Sequence, residues 1–408
     1  KTGYLYYYPT KDMSSIKSVV LTLLDGNVVD IHNAKYINFK GIDVGRSRRS
    51  AFNVENCDNV HILDADISYT ASMAVKIYNS TNCTVKDSYI YDVDGGVDIK
   101  DCGDRANLIP GNCGVENCEI ENFARLTKTY TTAANLSNGC GNYIRNNEIH
   151  NAQHMAIGFS GPYHEISFNN MYNVCQEADD SGVIYTGRSL ATHWGSVVKN
   201  NYIHDCTPNV TYRIGTIAVY LDDFLSGVTV AGNVIENMQL AGMFSGYNNI
   251  WTNNIFINCT SNSVVTAFSA NISAAGLRPT LIDGWKAATY KTNDAWKKAF
   301  PALYALTEDN LKNDIVTTGN VVANNYSWNS AGYDIIETMR QSPDNVIKDN
   351  VESVRDPGFV DAENKVYLLK EDAQIFKDLP DFKPIPFTRI GRYEKRAQER
   401  ISKAVVMT

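Results

Sequence analysis

The 408-residue sequence predicts an all-β chain wound as a parallel β-helix, a solenoid of about ten coils with a short helical insertion and a C-terminal tail. Three observations predict it. An Asn-centred phrase recurs at coil-sized intervals, a short alternating strand follows it in most coils, and one long interval has helical character.

The chain opens on the tyrosine-rich stretch 4–8, which reads as a strand. The recurring phrase is an apolar residue with Asn three places on and usually another apolar residue two places after that. It centres on Asn147, Asn169, Asn201, Asn233 and Asn253, recurs at Asn325 and Asn350, and has weaker copies with Ala65, Ser88 and Cys118 in place of Asn. From position 65 the steps are 23, 30, 29, 22, 32, 32, 20, 72 and 25 residues, about one β-helix turn each apart from the long one. Equivalent residues of successive coils stack about 4.8 Å apart, so inward Asn side chains can satisfy one another along a ladder. The alternating strands 51–54, 74–77, 96–99, 156–159, 183–186 and 218–221 present one face inward and one outward.

The 72-residue step holds the helical stretch, an insertion at about 275–315 with Trp285, Trp296, Phe300 and Tyr304 and a break at Pro301. It either plugs apolar edge surface or walls a cleft. The β-helix domain is expected to span 1–360, and 361–408 to pack on the solenoid or cap its last coil, with a charged helix over 392–403.

Lys and Arg number 37 against 45 Asp and Glu, a net charge of −8 with no basic run, which argues against nucleic acid. No stretch approaches 18 apolar residues, and the first thirty lack the pattern of a signal peptide. The chain begins at Lys1 inside an expected strand and so reads as a processed or truncated piece. Nine cysteines leave at least one thiol unpaired within the chain; without CxxC or finger spacing they read as small stacking residues, Cys175, Cys206 and Cys259 most clearly, and zinc is not expected.

Aligning the second strands puts Asn53, Lys76, Asp98, Gly158, Tyr185 and Tyr220 in one outward column and Glu55, Tyr78, Lys100, Ser160, Gly187 and Asp222 in the next. The densest polar cluster lies in two neighbouring coils, with Glu177, Asp179, Asp180, Tyr185 and Arg188 in one and Tyr220, Asp222 and Asp223 in the other. Paired carboxylates flanking a groove are what glycosidic hydrolysis requires, one protonated and one ionised. Asp-Asp pairs also cap turns or bind a structural cation such as calcium, and spacing alone does not separate these readings. His154 precedes the strand of the coil before the cluster, where it would orient a sugar hydroxyl or simply sit in the core. A straight strand would hold Asp180 about 20 Å from Asp222, so the segment around Ser181 and Gly182 must bend if the two act together.

The phrases at 1–9, 154–161, 179–188, 220–223 and 356–361 resemble bacterial right-handed β-helix carbohydrate-active proteins, glycoside hydrolase family 141 being the nearest group. The resemblance covers most of the chain, the Trp-rich insertion included. It implies a right-handed helix, hydrolysis of plant-type glycans of the xylanase or α-L-fucosidase kind, and no cofactor. It places the catalytic pair at Asp180 and Asp222, with Tyr185, Arg188 and His154 shaping a sugar subsite. Substrate contacts are also expected from Glu177, Asp179, Tyr220, Asp223, Asp98 and Lys100. With the glycan-like face it points to a secreted or cell-surface protein that binds a polysaccharide or oligosaccharide; solenoid size suggests a monomer, and charge and hydropathy suggest no nucleic-acid or membrane partner. Two other readings stay open: a polysaccharide lyase or uronate epimerase using Lys100, Arg188 or His154 as base, and a non-catalytic glycan-binding β-helix.

Overall fold

The computed structural model describes residues 3–4, 6–9, 11–207, 215–260, 265–267, 274–287, 293–313, 317–335 and 337–393. Three parallel sheets of 11 strands each run the length of a right-handed parallel β-helix, and each coil contributes one strand to every sheet. At about 4.8 Å per coil the stack is roughly 50 Å long.

The inward columns explain why these residues wind together. In the second sheet Val85, Val115, Ile144, Ile166, Val198, Val230, Trp251 and Val322 stack in register. In the third the column is Ile67, Ile90, Ile120, Ile149, Met171, Ile203, Ile235 and Phe256. All of these are buried in one continuous core.

Between the second and third sheets the chain turns on one residue in the left-handed region, a conformation Asn and Asp tolerate best among non-glycine residues. Asn146, Asn200, Asn253 and Asn324 take it, with φ of 56°, 54°, 57° and 59°. The following residue points inward and forms the ladder. Asn201 Oδ1 accepts from the backbone N and Nδ2 of Asn169, while its own Nδ2 donates to the Ile166 carbonyl and to Asn233 Oδ1. The same pattern continues through Asn233, Asn254, Asn325 and Asn350.

One expected member changes. Asn254, not Asn253, belongs to the ladder, because the buried anchor three residues earlier is Trp251 and not Ile250. The steps there are therefore 21 and 71 residues. A second ladder runs along the turn between the first and second sheets through Asn142, His164 and Ser196, and then Asn249, Asn320 and Asn345. The nine cysteines are all buried, unpaired thiols, and burial pushes Cys118, Cys175 and Cys259 up to about 12. They pack as apolar residues.

Two further expectations are corrected. Residues Tyr4 and Tyr6 to Tyr8 belong to no strand and are exposed, since the first sheet begins at Val29. The coil marked by Cys118 also supplies a first-sheet strand that the alternation does not include, Ala134–Ser137, paired between Gly95–Lys100 and Ile157–Phe159.

The insertion forms α1 (Ala274–Ala287), α2 (Asp294–Ala299), α3 (Pro301–Ala305) and α4 (Glu308–Asn313). It builds a small separate core in which Ile282, Trp285, Trp296, Phe300 and Leu303 meet Leu190, Trp194, Phe224 and Tyr247. Helix α5 (Glu337–Gln341) places Met339 in the main core at the last coil. The chain then runs back along the outer face of the third sheet, with α6 (Gln374–Asp378) on the way. Phe359, Tyr367, Ile375, Leu379 and Phe382 pack there on Tyr202, Val234, Ile255 and Tyr326. This strap is tied by Asn253 Nδ2 to the Lys383 carbonyl, by Asn146 Nδ2 to the Arg389 carbonyl and by Arg392 to Glu119. The expected helix over 392–403 lies outside the described residues beyond Tyr393.

Replacing a ladder Asn strands donors in a dry interior, each at about 1–3 kcal/mol. Asn201→Ala leaves two donors of Asn169 unpaired and is expected to cost about 2–6 kcal/mol in denaturant unfolding. Asn200→Gly, one residue away at φ 54°, is expected to cost under about 1 kcal/mol.

Candidate functional site

The outward column of the first sheet runs Asn53, Lys76, Asp98, Asn135, Gly158, Tyr185, Tyr220 and Met243 in register. Asn135 is the member contributed by the strand that the alternation does not include. Beside it Glu55, Tyr78, Lys100 and Ser137 form one stretch of the second column, and Gly187 pairs with Asp222 further on.

The acidic cluster converges on a cavity of about 280 Å³ lined by Tyr130, His154, Glu177, Asp180, Tyr185, Arg188 and Asp222 among others. The segment before strand Ser181–Gly187 does bend. Asp180 has φ 52°, and a Cβ added at Gly182 would fall 2.8 Å from Tyr220 Cβ. Only a glycine lets the chain fold this closely over its neighbour. Tyr220 Oη consequently reaches Asp180 Oδ1 at 3.3 Å, and the same hydroxyl interacts with Asp222. Two carboxylates within reach of one hydroxyl lie within about 7 Å of each other, far closer than a straight strand allows.

The five carboxylates have different partners. Glu177 pairs with Lys128, and Asp223 Oδ2 accepts from Arg188 Nε at 3.1 Å. Asp179, which also lines the cavity, accepts at Oδ1 from the backbone N–H groups of Asp180 and Gly215 and so fixes the loop. Asp180 and Asp222 have tyrosine hydroxyls as side-chain partners, and the Asp223 backbone N–H also bonds Asp222. Tyr185 Oη donates to Asp222 Oδ2 at 3.0 Å, and its ring meets that of Tyr220 edge to face.

Burial, reinforced by the neighbouring Asp223 charge, holds the Asp222 carboxyl above its ordinary range, and the Tyr220 and Tyr185 hydroxyls oppose the shift. Burial also holds His154 down at about 4, a neutral imidazole at physiological pH. Its Nδ1 is buried and has no hydrogen-bond partner among the described residues.

Lys100 does not join this cluster. It stands four strands before Asp222 in the first sheet, about 19 Å along the axis, near the Tyr78 ring. Asp98, in the same strand, lines a second cavity of about 450 Å³ that shares Tyr130, Met155 and Tyr185 with the first. Both cavities are walled by the loop carrying Tyr130, which the sequence does not flag because it contains neither the Asn phrase nor an acidic pair. No described residue of the helical insertion lines either cavity.

A larger cavity of about 900 Å³ lies between the second sheet and the strap. Its carboxylates are paired, Glu116 with Arg145 and Lys86 and Glu165 with Lys199. Among the described residues no group of three or more His, Cys, Asp or Glu side chains is arranged to hold a metal. No helix among them is long and apolar enough to cross a membrane.

No protein-family profile and no curated protein matches the chain. Solved structures do. A glycoside hydrolase matches at 12% identity and TM-score 0.37 over 53% of this chain and 37% of its own, so the chain spans little more than a third of that protein's length. A mannuronic-acid-specific polysaccharide family 6 lyase from human gut microbiota matches at 11% and 0.46 over 93% and 100%. A family 6 alginate lyase in complex with a trisaccharide matches at 10% and 0.38 over 90% and 89%. At these values the likeness is one of fold.

The raised Asp222 has a consequence for stability. A carboxyl whose folded value lies above its unfolded one contributes stability below the unfolded value and loses it as pH rises through the folded value. Asp222→Asn is therefore expected to melt higher than the parent at pH 7–8, with the gap closing in acid. Melting curves across that range check the sign.

Proposed function

We propose that this chain is a glycoside hydrolase acting outside the cell on an uncharged glycan, with Asp222 as general acid and Asp180 as its partner. The carrying observation is the separation of roles within the acidic cluster. Three carboxylates are engaged by cations or backbone N–H groups, while Asp180 and Asp222 meet through Tyr220 at the cavity.

A buried carboxyl that keeps its proton can donate it to the glycosidic oxygen as the bond breaks. The opposed carboxylate then attacks the anomeric carbon, or activates the water that does so, and either geometry fits a separation within about 7 Å. Tyr185 and Tyr220 hold Asp222 in place. His154 lines the cavity as a neutral group, with its Nδ1 buried. Among the described lining residues of this cavity Arg188 is the sole cation, and it is already bonded to Asp223. Such a surface repels an anionic polymer, which favours a neutral sugar such as the xylan or fucosylated glycans of family 141.

The lyase reading retains one candidate base, His154, because Lys100 is remote and Arg188 is bonded. Its product would be unsaturated and absorb in the ultraviolet.

Asp222→Asn and Asp180→Asn are each expected to lower kcat on a hydrolysed neutral oligosaccharide by about 10²–10⁴-fold with melting retained. Unsaturated product from the parent protein would overturn the hydrolase assignment. The rate should also fall as pH rises through the Asp222 ionisation. Tyr185→Phe removes a hydrogen bond that favours the ionised form, so it should move that basic limb to higher pH.

A further inference from the structure

The second cavity has features of its own. Its floor is the first-sheet column from Asp98 through Asn135 and Gly158 to Tyr185. Asp98 is held rigid, accepting from Asn135 Nδ2 at 2.9 Å on one oxygen and from Tyr78 Oη at 3.1 Å on the other. A carboxylate with one bond to each oxygen keeps lone pairs for further donors. Thr131 and Ser160 add hydroxyls, and Met73, Phe159 and the Tyr130 ring add apolar surface. Among the described residues no Lys or Arg lines it. Fixed acceptors and hydroxyls set against apolar surface suit a ring whose edges carry hydroxyls and whose faces carry C–H groups.

Gly158 makes the depth. A Cβ there would lie 2.9 Å from Asn135 Oδ1 and 3.5 Å from Thr132 Cγ2, so any larger side chain projects into the space. The two cavities meet at Tyr130, Met155 and Tyr185, and Tyr185 also bonds Asp222. A chain bound at the acid pair thus has a continuous lined path toward earlier coils.

We propose that the Asp98–Asn135–Gly158 cavity is a distal subsite for an uncharged sugar unit, binding the same glycan chain that the Asp180–Asp222 pair cleaves. The assignment rests on the hydrolase reading for its direction, and it makes recognition depend on chain length.

The test is calorimetric titration of the Asp222→Asn protein with xylo-, cello- and manno-oligosaccharides of two to six units. At least one series is expected to bind tenfold or more tightly at six units than at two. Gly158→Leu, which fills the cavity, and Asn135→Ala, which removes a polar group from it, are each expected to collapse that ratio toward one. Two substitutions of opposite kind, each checked by melting, guard against a single misfolded variant. A ratio that survives both substitutions overturns the subsite, as does the absence of length dependence or of binding in all three series. Length-dependent binding without hydrolysis by the parent protein sinks the hydrolase reading and keeps the subsite. Hydrolysis with a KM indifferent to chain length does the reverse.

Discussion

The register of the coils from Asn147 onward, which carry the acid pair, depends on the buried Asn ladder. A parallel solenoid must turn three times per coil without leaving backbone groups unpaired inside, and it must make each turn identically or the sheets lose register. Asn meets both demands. Its left-handed neighbour makes the corner, and its own amide bonds backbone and side chain in the coil before and after. The ladder therefore sets the register of all three sheets, and with it the outward columns from which the candidate site is assembled.

Function, on this reading, depends on a local departure from that regularity. Strict stacking would hold Asp180 and Asp222 at opposite ends of adjoining strands. The close approach permitted by Gly182, with Asp180 in the left-handed region, folds one acid back over the next coil. Asp179 secures the fold-back by accepting from Gly215 N–H. Tyr220 then spans the gap, so the two acids share a partner without sharing a strand.

The fold was legible in the sequence because the periodic residues are the ones that bear the register. The strands at 51–54, 74–77, 96–99, 156–159, 183–186 and 218–221 all fall in the first sheet. The helices over 275–315 were readable from their aromatic spacing and Pro301. Errors arose where the physics allows two answers. Asn253 and Asn254 are adjacent, and only the burial of Trp251 decides which faces inward. The strand Ala134–Ser137 escaped notice because a long polar loop separates it from Cys118, the ladder position of its coil. The site was less legible. Residue type marked the acids, but which of them are engaged depends on Lys128, Arg188 and the Gly215 backbone. Lys100 shows the limit of column reading, since adjacency in an alignment says nothing of the distance along the axis.

The strap along the third sheet alters how such a stack comes apart. A solenoid ordinarily frays from either end, one coil at a time, because each coil touches only its neighbours. Here the last coils cannot peel away until the chain has released Lys383, Arg389 and Arg392 from coils nearer the start. Loss of the final coil thereby becomes a long-range event that also strips cover from Tyr202, Val234 and Ile255.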